Sequence, residues 1–122
     1  MRRRSKPVLI VEDAADTRIA LAEYLAIVGH RVATACDGLE ALDYLRRAHG
    51  AVSVIVLDLR MPRMDGITFL DAKAADPKLR DIPVIVHSAV EPWKPLPPDV
   101  RYMRKGSVDP DELVDAIASE MP

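Results

Sequence analysis

The stretch VIVLDLRMPRMDG, residues 54–66, decides the fold. It opens with four consecutive apolar residues, and such runs are typical of strands buried on both faces of a parallel sheet. The run ends at Asp58, and Pro62 and the Asp65-Gly66 pair then indicate a loop and a turn. A buried strand that closes on a carboxylate predicts that this charge lies at an edge of the sheet.

Similar runs recur along the chain. The predicted strands are PVLIV (7–11), RVATA (31–35), VSVIVLD (52–58), IPVIVHS (82–88) and the weaker VRYMR (100–104). Strands that alternate with helical segments predict an α/β fold, a doubly wound five-stranded parallel sheet. In that architecture functional groups gather at the carboxyl ends of the strands.

Apolar residues recur at helical spacing between the strands. The stripes are Leu21, Leu25 and Val28 before Gly29; Leu42, Leu45 and Ala48 before Gly50; and Ile67, Leu70 and Ala74 before Asp76-Pro77. A last helix is predicted over 109–121, with Asp109 as its N-cap, Pro110 at its first position and Glu112 completing a capping box.

One connection breaks the alternation. The segment AVEPWKPLPPDV (89–100) carries four prolines in residues 92–98 and no helical stripe, which predicts that its helix is short or absent. Its Trp93 is the only tryptophan of the chain. Two interpretations stay open for Trp93: an exposed anchor for a partner, or a cover for the apolar surface that a missing helix leaves bare.

The composition fits a single domain over 1–122 and excludes several classes of protein. With 17 Lys and Arg against 19 Asp and Glu, the formal charge of −2 predicts neither direct nucleic-acid binding nor binding to an anionic membrane. The basic stretch 1–6 is predicted to be a flexible terminus. A single cysteine, Cys36, excludes an internal disulfide and is predicted to be a small core residue. With neither signal peptide nor membrane span in the sequence, the protein is predicted to be cytoplasmic.

Three carboxylates follow two of the predicted strands. Glu12 and Asp13 end the first strand and Asp58 ends the third, so all three converge if these strands are neighbours. Like charges this close destabilise a fold unless a cation neutralises them, and Mg²⁺ prefers such oxygen ligands. Ser88, at the end of strand four, and Lys105, after strand five, add a hydroxyl and an ammonium at the same edge. Together these groups are typical of a site that binds a phosphoryl group.

The segments LIVED, VLDLRMPRMDG, VIVHSA and YMRKG, in this order, resemble the receiver domain (CheY-like) of bacterial two-component response regulators. The resemblance spans nearly the whole chain and implies the strand order 2-1-3-4-5. It also implies a signalling switch that is not an enzyme acting on a separate substrate. The implied partners are a histidine kinase or phosphotransfer protein and an unknown downstream protein, reached through residues 89–104.

The resemblance assigns roles to individual residues. Asp58 matches the phosphoacceptor, and Glu12 and Asp13 match the acidic pair that binds Mg²⁺ or Mn²⁺ with it. The backbone carbonyl of Arg60 is expected to add a metal ligand. Lys105 matches the lysine that pairs with the phosphoryl group, Ser88 the switch hydroxyl, and Tyr102 the aromatic that turns inward on activation. Gly66 is expected to allow an unusual backbone angle after Asp65.

Two departures from the family pattern alter these expectations. Gly106 follows Lys105 where the family usually has a proline, so the loop that carries Lys105 is expected to be looser. The segment between Ser88 and Lys105 is shorter than in typical members. We expect acceptor chemistry to survive these changes and output to be altered.

Two other classes of function stay open from the sequence. A phosphorylation-independent interaction module on a receiver fold would use only its surface. A phosphohydrolase of the haloacid dehalogenase type would also use a strand-end aspartate, but it needs an acid two residues later, where this chain has Arg60. A cofactor-binding flavodoxin-like protein is disfavoured because no strand is followed by a glycine- or serine-rich phosphate loop.

Overall fold

A computed structural model describes residues 6–122 of the chain, so the predicted flexible terminus falls almost wholly outside the described residues. Five strands form one parallel sheet: β1 (Val8–Val11), β2 (Val32–Ala35), β3 (Val54–Leu57), β4 (Val84–Ser88) and β5 (Arg101–Arg104). The strand order is β2-β1-β3-β4-β5. The four helices are α1 (Ala15–Ile27), α2 (Gly38–Arg47), α3 (Gly66–Ala74) and α4 (Pro110–Glu120). The predicted doubly wound sheet and its strand order are confirmed.

Both faces of the central strands are buried. On one face Leu9, Leu57 and Phe69 belong to a core that α2 and α3 cover, and on the other Val8, Val56 and Ile117 belong to a core under α1 and α4. Every residue of β1 and β3 is buried because side chains of a strand alternate between these two cores. This double burial explains the unbroken apolar runs in the sequence.

Side-chain caps begin three of the four helices. The carboxylates of Asp37, Asp65 and Asp109 accept hydrogen bonds from the third residue of α2, α3 and α4 respectively. Asp109 and Glu112 form the predicted capping box, with Pro110 in the first turn. Within residues 6–122, no helix has the length and apolar character needed to cross a membrane.

The connection between β4 and β5 contains no helix, as predicted. Its half-buried Val90, Leu96 and Val100 pack against the core that α2 and α3 cover. Trp93 remains 50% exposed and is not among the side chains packed on that core. Leucine and valine side chains therefore cover the sheet where a helix is missing, and Trp93 faces solvent.

Cys36 differs from its predicted place in the core. It lies just after β2, an edge strand, where burial is incomplete, and its thiol donates to Oε2 of Glu40 at 3.0 Å. The hydrogen bond to Glu40, burial and the charges of Glu40 and Asp37 raise the pKa of the Cys36 thiol. A raised pKa favours the neutral, less reactive thiol.

The exposure of Trp93 gives a test of the connection. We expect Trp93→Ala to lower the free energy of unfolding by no more than about 1 kcal/mol, and Leu96→Ala, which removes a core contact, by about 2 kcal/mol. Urea unfolding of both variants measures this. A loss of about 3 kcal/mol or more for Trp93→Ala would mean that the indole belongs to the core after all.

Candidate functional site

Neighbouring strands bring three carboxylates to one edge of the sheet. Glu12 directly follows β1 and Asp58 directly follows β3, and these strands pair, with the Asp58 amide donating to the Val11 carbonyl at 2.9 Å. Glu12, Asp13 and Asp58 each place a carboxylate oxygen within 4.8 Å of the others. Glu12 and Asp58 are buried, whereas Asp13 is exposed. The cluster that the sequence predicts is therefore assembled.

Lys105 reaches this cluster from the far side of β4. Its Nζ donates to Oδ2 of Asp58 at 3.1 Å and also to Oε1 of Glu12. The Lys105 amide donates to the carbonyl of Ser88 at 3.0 Å, which holds the lysine beside the end of β4. One ammonium thus contacts the two buried carboxylates of the cluster.

Burial and charge shift the pKa values of these groups. Burial, reinforced by the charge of Asp58, raises the pKa of Glu12, although hydrogen bonds from Lys105 and from the Ala14 amide act against this rise. For Lys105, burial acts to lower the pKa, but the hydrogen bond to Glu12 and the charges of Asp58 and Glu12 outweigh it, and the pKa is raised. Lys105 is therefore held as an ammonium.

The cluster suits a hard divalent cation. Lys105 offsets only one of three carboxylate charges, so the site keeps a net negative charge. Three carboxylate oxygens that lie within 4.8 Å of one another are the type of ligand that Mg²⁺ and Mn²⁺ prefer. Arg60 is exposed in the loop that follows Asp58, and the role of its backbone carbonyl as a further ligand stays a prediction.

The two predicted switch residues meet at Val90. The buried hydroxyl of Ser88 accepts a hydrogen bond from the Val90 amide at 3.3 Å. The hydroxyl of Tyr102 donates to the Val90 carbonyl at 3.1 Å, and its half-buried ring packs on the same core. Both residues therefore contact the first turn of the proline-rich connection.

His87 directly precedes Ser88 in β4, and its half-buried side chain points to the opposite face of the strand. It lines a cavity with Leu21 of α1 and Leu113 of α4, on the face of the sheet opposite α2 and α3. Burial, together with the positive charge of Lys105, lowers the pKa of His87. The imidazole is thereby kept neutral at physiological pH.

The expected role of Gly66 is wrong in its detail. The described glycines with positive φ are Gly29, Gly50 and Gly106, and Gly66 is not among them. Gly66 is needed because a Cβ there would lie 2.4 Å from the Asp58 carbonyl oxygen and 2.9 Å from the Leu59 Cα. In the loop that follows Asp58, the positive φ occurs instead at Arg63, where φ is +65°.

Sequence reasoning missed one pair of residues near the site. Asp37, almost fully buried, caps α2 and accepts hydrogen bonds from two guanidinium nitrogens of Arg63, with the Nε distance at 2.7 Å. Burial acts to raise the pKa of Asp37, but the bonds from Glu40 and Arg63 and the charge of Arg63 outweigh it and lower the pKa. The Asp37-Gly38 pair after β2 was the only signal for this contact, and it identifies a cap but no partner.

Comparisons with known proteins agree with this geometry. The family model of the response regulator receiver domain matches residues 8–96. The chain is 48% identical over 84 residues to protein-glutamate methylesterase/protein-glutamine glutaminase 1 of Anaeromyxobacter dehalogenans, covering 68% of this chain and 22% of that protein. It is 41% identical over 86 residues to the transcriptional regulatory protein PrrA of Mycobacterium tuberculosis, covering 70% and 35%.

Solved structures give the same result. The receiver domain of the hybrid histidine kinase CckA superposes with a TM-score of 0.80 at 28% identity, covering 95% of this chain and 99% of that one. The phosphorylated cyanobacterial phytochrome response regulator RcpA superposes with a TM-score of 0.72 at 30% identity, covering 95% and 91%.

The chain belongs to the response regulator receiver domain family, the signal-receiving module of two-component systems. The resemblance drawn from its motifs is confirmed, and the haloacid dehalogenase and flavodoxin-like interpretations are set aside. The chain spans 22% and 35% of the length of the two curated relatives above. The family match ends at residue 96, inside the proline-rich connection, although β5 and Lys105 beyond it take their places beside the site.

Steric contact at Gly66 predicts a large cost for a single methyl group. Gly66→Ala should lower the free energy of unfolding by about 2 kcal/mol or more, because the Cβ meets backbone atoms that cannot yield. Gly106→Ala is a control in open space, where only the positive φ is unfavourable, at about 1 kcal/mol. Urea unfolding compares the two, and equal costs would contradict the steric explanation.

The lowered pKa of Asp37 predicts a pH-dependent contribution to stability. A lowered pKa means that the carboxylate stabilises the fold above its ordinary pKa of 3.8, and that this contribution is lost as the pH falls through the folded value. Asp37→Asn should lower the free energy of unfolding by about 1–2 kcal/mol at neutral pH. The difference from wild type should shrink in acid.

Urea unfolding at a series of pH values measures this difference. Asp43→Asn is the matched control, since Asp43 forms an exposed pair with Arg47 at 3.1 Å on α2. That variant should differ little from wild type at any pH. If the difference in free energy of unfolding between Asp37→Asn and wild type stays constant as the pH falls, the lowered pKa of Asp37 is contradicted.

Proposed function

We propose that Asp58 is the phosphoacceptor of this receiver domain and takes its phosphoryl group from a phosphohistidine of a histidine kinase or phosphotransfer protein. The observation that carries the proposal is the contact of Lys105 with both Asp58 and Glu12 at the carboxyl ends of adjacent strands. A buried carboxylate with a fixed cation beside it can attack phosphorus while the charge of the transferred group is neutralised.

Each neighbouring residue has a role in this proposal. Glu12, Asp13 and Asp58 would hold Mg²⁺ or Mn²⁺, with the Arg60 carbonyl as a further ligand, and the ion would neutralise charge on the phosphoryl oxygens. Lys105 would move its ammonium from the carboxylates to the phosphoryl group. The reaction breaks the N–P bond of a phosphohistidine whose other ring nitrogen carries a proton and forms an O–P bond at Asp58. The electron pair of the broken bond stays on the ring, which leaves as a neutral histidine.

The proposal describes a switch and not an enzyme acting on a separate substrate. Ser88 would offer its hydroxyl to the phosphoryl group, and Tyr102 would respond through the backbone of Val90, which both residues contact. A downstream protein would then bind at residues 89–104. A cytoplasmic location stays a prediction.

Intact mass spectrometry tests the acceptor. After incubation with Mg²⁺ and acetyl phosphate, wild type should gain the mass of one phosphoryl group. Asp58→Asn, and wild type in excess chelator, should gain none, because the first lacks the nucleophile and the second lacks the cation. Lys105→Met should be phosphorylated at least about tenfold more slowly, since it loses one fixed positive charge beside the transferred group.

The same measurement distinguishes the interaction-module alternative. If wild type gains no mass and its tryptophan fluorescence does not respond to Mg²⁺ with beryllofluoride, the domain does not use phosphorylation. A mass gain that persists in Asp58→Asn would place the acceptor on a different residue.

A further inference from the structure

The loop between β3 and α3 contains a strained residue. Arg63 has a φ of +65°, a conformation that side chains other than glycine rarely adopt. The Met64 amide donates to the Pro62 carbonyl at 2.7 Å across it, which closes a three-residue turn. Such a backbone persists only where the surrounding structure holds it.

Asp37, between β2 and α2, holds Arg63 in this conformation. Two nitrogens of the Arg63 guanidinium donate to the same Oδ2 of Asp37, whose other oxygen accepts from the Glu40 amide at 2.9 Å. Asp37 is 1% exposed and is fixed as the cap of α2, so it is a rigid anchor. The strained turn is therefore tied to a second element by a charged hydrogen bond.

A backbone contact closes the junction beside this pair. The Gly38 amide donates to the Met64 carbonyl at 3.1 Å. A Cβ on Gly38 would lie 2.7 Å from Cγ of Met64 and 2.9 Å from its carbonyl oxygen. The two segments are therefore too close for any side chain at residue 38. The loop is thus held at consecutive residues, Arg63 by its side chain and Met64 by its backbone.

We infer that the Asp37–Arg63 ion pair positions the loop that carries the Arg60 carbonyl and thereby sets the affinity of the acidic site for its divalent cation. This inference rests on the proposed function, because it assigns Arg60 a place in the metal site. Neither Arg63 nor Asp37 is a member of the acidic cluster of Glu12, Asp13 and Asp58, so both act as positioning residues. The ends of the loop over residues 59–65 are held by backbone hydrogen bonds, from the Asp58 amide to the Val11 carbonyl and from the Gly66 amide to the Leu59 carbonyl. The ion pair holds the backbone between them.

Arg63→Gly separates positioning from stability. Glycine adopts φ of +65° without strain, so this variant relieves the unfavourable backbone while it removes the guanidinium. If Arg63 only stabilises the fold, Arg63→Gly should bind metal as wild type does. If the ion pair positions the loop, Arg63→Gly should bind metal as weakly as Arg63→Gln.

Metal binding is measured by titrating the unphosphorylated protein with Mn²⁺ and following free Mn²⁺ by electron paramagnetic resonance. We expect Arg63→Gly, Arg63→Gln and Asp37→Asn to bind about tenfold more weakly than wild type, the scale found for groups that orient metal ligands. Arg63→Lys, which keeps the charge but not the fork of donors, should fall between. Arg47→Gln, which breaks the exposed pair with Asp43, should bind as wild type does.

A second readout uses no metal at all. Amide hydrogen exchange in residues 59–65 of the metal-free protein should be faster in Arg63→Gly and Asp37→Asn than in wild type and in Arg47→Gln. If wild type binds Mn²⁺, and Arg63→Gly, Arg63→Gln and Asp37→Asn bind it within twofold of wild type, the inference is overturned while the proposed function stands. If wild type itself binds no Mn²⁺, both are overturned.

Discussion

The repulsion among three carboxylates at one edge of the sheet is the constraint on which the site depends. Parallel pairing of β1 with β3 places Glu12 and Asp58 side by side, and burial leaves them little water to screen their charges. Burial first, and then the charge of Asp58, raise the pKa of Glu12, which reflects the cost of this arrangement. The apolar core beneath the strands, in which every residue of β1 and β3 is buried, offsets that cost.

Lys105 satisfies part of this constraint, and the fold must bring it across β4 to do so. Strand β5 pairs with β4 in a register that sets Val86 opposite Tyr102 and Ser88 opposite Arg104. The next residue is Lys105, whose amide bonds to the Ser88 carbonyl. The β4–β5 register therefore positions Lys105 beside the acidic cluster, even though the connection between these strands has no helix. Gly106, which is exposed and has a φ of +83°, then turns the chain towards α4.

Sequence patterns predicted those parts of the structure that depend on burial and on local chemistry. Continuous apolar runs identified the strands, Asp109 and Glu112 identified a capping box, and the clustered prolines identified a connection without a helix. The strand order came from resemblance to a family, because apolar runs alone do not say which strands are neighbours.

Contacts between distant loops were not predictable from such patterns. Asp37 and Arg63 are 26 residues apart, and nothing local to either indicates the other. Gly66 was recognised as special for the wrong reason, since a sequence cannot distinguish a positive φ from a close backbone contact.

In the proposed switch, Ser88 and Tyr102 both act on Val90. Ser88 contacts the amide of Val90 and Tyr102 contacts its carbonyl, so a displacement of either side chain acts on the same peptide segment. Beyond Val90, four prolines offer no amide hydrogen to anchor the chain. Two exposed ion pairs link the connection to its neighbours: Arg104 of β5 with Glu91 at 3.1 Å, and Asp71 of α3 with Lys94 at 3.8 Å. Exposed pairs of this kind contribute little to stability. A helix at this position would move as a rigid unit against its neighbours. This connection instead depends on Leu96 and Val100 for its attachment to the core, and Trp93, between Val90 and Leu96, stays exposed.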